Sequence, residues 1–288
     1  MVGQRLTESI CGVIQFFIGV GKAALGHYNC KFVGCALSNV SWEHAYYGSR
    51  DGSSKESRKV GEMDVFKEFE RLMADRGTEP RLDQACALIS NAGDPTHSVD
   101  SVLAGIDAIS DNLMADDVPS MMKFLFSPRE FFGNSMNYDD PANSLLGNVI
   151  ESKLGIPISL SVIAMSVAER KGLSMFGVGM PGHYLCATLT ADGEPMYFDP
   201  FHGSGPLSAS DCRSLYEGLT GLANWSGEFL KPATSRLTVV RILSNLKSIY
   251  RRKGDVDGIR WVMRMRLAIP EIAASETTEF ARLVRGSN

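Results

Sequence analysis

Residues 155–201 constrain this 288-residue chain most, because they read as one helix followed by a β-hairpin. In GIPISLSVIAMSVAERKGL, residues 155–173, Leu160, Ile163, Ala164, Val167 and Ala168 recur at helical spacing. Pro157 suits the first turn, and Arg170, Lys171 and Gly172 make a proper ending. Residues 176–180 and 183–190 then read as strands, Ala191, Asp192 and Gly193 as a turn, and 196–198 as a returning strand. A helix packed on an antiparallel sheet defines an α+β protein.

The hairpin places His183 on its first strand and Asp199 on its second, a separation suited to neighbouring strands joined by a short turn. A helix N-terminus activates a thiol there, an imidazole serves as base, and a carboxylate holds the ring's other nitrogen. This chain has Pro157, Ile158 and Ser159 at the helix start and no cysteine. Ser159 completes a catalytic set only if its hydroxyl reaches His183; otherwise it is an ordinary first-turn serine. Cys186 is no substitute, because strand alternation puts it with Tyr184 on the face opposite His183 and Leu185. Without a nucleophile, His183 reads as a core or binding histidine held by Asp199, and Asp199 before Pro200 also suits a turn start.

Upstream, Asp140 before Pro141 predicts an N-cap and first helical position for a helix through Leu145, Leu146, Val149 and Ile150. Tyr138, Asn143, Ser144 and Asn148 form a polar set there. They either satisfy backbone groups at the helix start or line the cleft of His183. His202, in the loop of Gly203 to Pro206 that follows Asp199, is a candidate rim contact. Met121 and Met122 read as core filler.

Six cysteines without a CxxC pair fit reduced thiols in a cytoplasmic protein. The five histidines are scattered, with none at i, i+4 or beside a cysteine pair, so the spacing predicts no metal and no cofactor. From residue 231 onward twelve Lys and Arg face five Asp and Glu, although the whole chain carries a net charge of −4. No stacking aromatics interleave with these charges, so they read as solvated helical faces, and nucleic acid is not an expected partner. The apolar run ICGVIQFFIGV, residues 10–20, is too short to span a bilayer, and Lys22 follows where a leader peptide would be small and neutral.

The chain divides into a poorly ordered extension and linker over 1–62, a helical segment over 63–133, a core over 134–222 and a helical hairpin over 223–288. The second part shows apolar stripes at Val65, Phe66, Phe69 and Leu72, and at Val99, Val102, Leu103, Ile106 and Ile109. The last shows stripes at Leu237, Val240, Leu243, Leu246 and Tyr250, then Ile259, Val262, Met263 and Leu267, split by Gly254 and Asp255.

Four stretches, FFGNSMNYDDPANSLLGNVIESKLGIPISLSVIAMSVAERKGL, GVGMPGHYLCATL, YFDPFHGSGPLS and RLTVVRILSNLKSIYRRKGD, resemble the SirB-type branch of the transglutaminase-like superfamily. The resemblance covers residues 63–267. It implies a papain/transglutaminase-like core between N-terminal helices and a C-terminal tetratricopeptide-like hairpin. In catalytic relatives the region of Ser159 would carry the cysteine, and His183 and Asp199 match the other triad positions. The branch typically reads GIPI there, as here. The resemblance therefore implies a vestigial enzyme acting as a binding or regulatory module for a protein or peptide partner, with an acyl hydrolase, peptidase or amidase using Ser159 as the alternative.

Overall fold

The computed structural model describes residues 64–127 and 130–285, so the expectations for residues 1–62 lie outside the described residues. The described residues open with four helices: α1 (Val65–Ala74), α2 (Leu82–Gly93), α3 (Val99–Asp111) and α4 (Val118–Leu125). Side chains start three of them, because Asp64, Ser98 and Asp117 each accept a backbone N–H of the first turn. Phe69, Val102 and Ile106 are buried, as the stripes predict, and Met121 and Met122 are core residues.

Asp140 caps a helical start at Pro141, as expected, but the Pro141–Ser144 turn is 3₁₀ and α5 (Leu146–Ser152) begins only after Leu145. The expected continuation to Leu154 is cut short because Lys153 takes the left-handed conformation, with φ at 62°. That turn lets β2 (Leu154–Gly155) lie parallel to β1 (Phe132–Gly133), a pairing inside what the sequence presents as a loop. Helix α6 (Pro157–Arg170) follows directly.

A five-stranded antiparallel sheet has the order β6-β5-β4-β3-β7. Its strands are β3 (Phe176–Val178), β4 (Leu185–Leu189), β5 (Pro195–Asp199), β6 (Ser204–Leu207) and β7 (Pro232–Ala233). Gly193, at φ 81°, closes the β4–β5 turn. His183 falls just before β4 rather than within it, because the Pro181-Gly182 turn runs to the backbone bond from His183 N to Met180 O. Gly203 to Pro206 is not a loop: residues 204–207 pair with β5 as an edge strand, where proline is tolerated.

The sheet separates two apolar clusters by strand alternation. Tyr184, Cys186 and Phe198 join the main core around α6, while Leu185, Ala187 and Tyr197 face Cys212 and Tyr216 of α7 (Ala209–Thr220). Trp225 and Phe229 complete that second cluster.

Helices α8 (Ser235–Lys253), α9 (Val256–Leu267) and α10 (Ala273–Arg285) close the chain, with Gly254 and Asp255 forming the α8–α9 junction as expected. The buried face of α8 is broader than the predicted stripe: Leu243, Leu246 and Tyr250 are inside as expected, Val239, Ile242 and Ile249 join them, and Leu237 is exposed. Basic residues also turn inward. Lys247 and Arg266 both pair with Glu276, each at 2.6 Å, and Arg236 reaches the carbonyls of Met73, Asp75 and Thr78. Three of the C-terminal cations, Arg236, Lys247 and Arg266, are therefore held internally. One main core joins residues from Phe69 to Ile272. No helix among the described residues is long and apolar enough to cross a membrane.

Glu276 is the acid between two buried cations. Burial would raise its pKa, but Arg266 and Lys247 outweigh that and hold it below the usual value. Its stabilising contribution is therefore complete above the unfolded pKa and is lost as pH falls through the folded one. Glu276→Ala should destabilise the fold by about 3 kcal/mol, because it strands both cations. The loss should shrink progressively in acid, as measured by urea unfolding at a series of pH values.

Candidate functional site

The expected nucleophile position is closed by its own backbone chemistry. Ile156, Pro157, Ile158 and Ser159 are all buried. Ser159 Oγ accepts the Ile156 N–H at 3.1 Å, reaching back to the helix cap, and lies 2.5 Å from Asn143 O and 3.1 Å from Ile156 O as a donor. Gly155 makes this possible, since a Cβ there would come within 2.8 Å of the Ser159 hydroxyl. No hydrogen bond joins Ser159 to His183 among the described residues. Cys186 offers nothing in exchange: its thiol is fully buried and burial drives its pKa upward, away from thiolate formation. Cys86, Cys186 and Cys212 are free thiols.

His183 and Asp199 do meet, as the hairpin spacing predicts, and His202 joins them. Asp199 ends β5 beside an irregularity in the β5–β6 register, which turns its side chain into the following loop. Oδ1 accepts the N–H groups of Phe201 and His202, at 3.1 and 3.4 Å. Oδ2 lies 2.6 Å from His202 Nδ1 and 2.9 Å from His183 Nε2. The His183 contact is close enough to act electrostatically, yet its direction is poor: Nε2 is buried without an aligned hydrogen bond. Burial pushes the Asp199 carboxyl up, but the contacts with His183 and then His202 prevail and hold its pKa below the usual value.

Aromatic rings wall the group. The two imidazoles stack at 5.5 Å between centroids, and Phe201 meets His183 and His202 edge-on at 6.2 and 5.1 Å. Tyr138 adds a further edge contact with Phe201 at 5.8 Å. His183 is 5% exposed, whereas the His202 side chain is 46% exposed, so the site opens on the His202 side. Gly133 lets β1 approach this loop, because a Cβ there would run into the Phe201 carbonyl and ring.

The polar set divides. Tyr138 stands at the rim. Asn143 supports it from behind, donating to the carbonyls of Asn137 and Tyr138 and accepting from Asn134. Ser144 is buried at the end of the 3₁₀ turn and its hydroxyl is unpartnered. Asn148 belongs elsewhere: it donates to Asp94 at 2.8 Å, in the α2–α3 connection.

Arg241 is the positioning residue that the sequence pattern hides. From α8 it donates to the carbonyls of Met180 and His183, at 3.0 and 2.6 Å, gripping both sides of the turn that presents His183. It also lies over the Tyr184 ring. Burial lowers its pKa to about 10, so it stays charged at neutral pH. A cation on an otherwise partly apolar helix face was the available signal.

The α+β architecture agrees with the comparisons to known proteins. The description "Transglutaminase-like superfamily" matches residues 84–244, and the chain belongs to that superfamily. It is 42% identical over 132 residues to a UPF0162 protein of Xylella fastidiosa strain Temecula1, covering 44% of this chain and 47% of that protein. A UPF0162 protein of Pseudomonas aeruginosa is 31% identical over 116 residues, covering 40% and 42%. Human F-box only protein 21 is 26% identical over 149 residues, covering 49% and 23%. The chain thus spans less than half the length of these curated relatives. No solved structure gives a significant match.

Ser159→Ala separates a structural from a catalytic serine. It leaves the Ile156 N–H and the Asn143 carbonyl without this partner in a dry site, so it should cost about 2 kcal/mol in chemical denaturation.

Proposed function

We propose that this chain is a transglutaminase-like scaffold without acyl-transfer chemistry, and that it works as a binding or regulatory module. The observation that carries this reading is the commitment of the Ser159 hydroxyl to the backbone at a helix start that has no thiol. What survives of the triad is its orienting half, His183 and Asp199, opened to solvent through His202 and edged by Phe201 and Tyr138. An aromatic rim around a carboxylate and two imidazoles suits an extended protein or peptide segment with a polar or cationic side chain. The C-terminal helices, expected to be tetratricopeptide-like, are a second contact surface. The buried free thiols support a cytoplasmic setting.

The acyl hydrolase, peptidase or amidase alternative requires Ser159 to exchange its backbone partners for His183. A serine-directed fluorophosphonate should therefore leave Ser159 unlabelled. Capture from the native cell should retain a partner on the wild type and lose it on a Phe201→Ala, His202→Ala double variant whose thermal midpoint is within a few degrees of wild type. Labelling of Ser159, or equal capture by both proteins, would overturn the reading.

A further inference from the structure

We propose that His183, Asp199 and His202 bind a divalent first-row transition-metal ion, with zinc the best fit. The proposal goes beyond the binding-module reading and does not rest on it.

Three donor atoms, one from each residue, lie within 4.8 Å of one another. The donor set is chemically selective: two imidazole nitrogens and a carboxylate oxygen suit zinc, cobalt, nickel, copper or ferrous iron. Calcium and magnesium prefer shells of oxygen. The spacing is close to what an ion needs. Ligand atoms at about 2.1 Å from a tetrahedral centre stand roughly 3.4 Å apart. Asp199 Oδ2 lies 2.9 Å from His183 Nε2 and 2.6 Å from His202 Nδ1, so admitting an ion requires these atoms to separate by roughly half an ångström and just under one ångström.

His183 supplies the independent observation. Its Nε2 is buried beside the carboxylate and lacks an aligned hydrogen-bond partner. A buried imidazole nitrogen left in that state is costly, and a shared ion beside Asp199 satisfies it where a bent contact does not. The surroundings are also built to hold ligands in place. Arg241 fixes the turn carrying His183, and the N–H groups of Phe201 and His202 hold Asp199 Oδ1, leaving Oδ2 for the imidazoles. His202 is the adjustable member, because its side chain is half exposed. Three protein ligands leave at least one coordination position to water or an incoming donor.

The sequence concealed this site because its ligands come from a turn, a strand end and a loop instead of one helix or one knuckle. The spacing rules that predicted no metal look only for local patterns, and His183 and His202 become neighbours through the β4–β5 pairing.

The untagged full-length chain, stripped with a chelator, provides the test. Calorimetric titration with Zn²⁺ should give one equivalent per chain, and Co²⁺ should give a visible ligand-field band that zinc then removes. His202→Ala removes one partner of the Asp199 carboxylate, so without metal its thermal midpoint should fall by a few degrees while its circular dichroism stays that of the wild type. That variant should weaken zinc binding at least about tenfold and lose the rise in midpoint that zinc gives the wild type. Asp199→Asn should weaken binding similarly. Absence of stoichiometric zinc binding would overturn the proposal, as would equal affinity in wild type and His202→Ala, which would move binding to other residues.

Discussion

Helix α6 is the member on which the other layers are built. Leu160, Val162, Ile163, Ala164, Val167 and Ala168 are all fully buried, so this helix is apolar nearly all round. The N-terminal helices, α5 and the inner face of the sheet all join its core. A helix so enclosed needs its polar ends settled, since no water reaches its first turn. Ser159 supplies the acceptor for the helix cap, and Arg170 at the other end pairs with Asp83 and Asp107. The Ser159 hydroxyl thus serves the core of the fold.

The same economy explains the candidate site. Asp199 is buried at the junction of β5 and its following loop, where it would be unstable as a lone anion. Two amides and two imidazoles surround it, and its carboxylate organises the loop from within. The Asp199 carboxylate thus has a structural task of its own, since it ties down the turn that carries Phe201 and His202.

Much of this was legible in the residues. Pro157 followed by an apolar run marked α6, and the Gly193 turn fixed which strand faces which, so His183 and Asp199 were correctly paired. The capped, interrupted pattern before α5 was visible as Asp140-Pro141, although the 3₁₀ turn and left-handed Lys153 were not. The two-residue strands β1, β2 and β7 carry no periodicity of their own, and β6 includes Pro206, so only tertiary pairing reveals them. The stripe of α8 marked Leu243, Leu246 and Tyr250 correctly but missed the burial of Arg236 and Lys247, which depends on specific partners that hydrophobic spacing does not anticipate. Asn148 looked like part of the cleft by sequence proximity, but the helix carries it toward Asp94.

Arg241 ties the identity of the site to a part of the chain more than fifty residues downstream of it, with |i−j| of 58 for its bond to His183. The guanidinium belongs to α8, while its two acceptors belong to the turn ahead of β4. The backbone under the imidazole is therefore anchored to the C-terminal helices as well as to the sheet, so the aim of His183 is set by two layers of the fold at once.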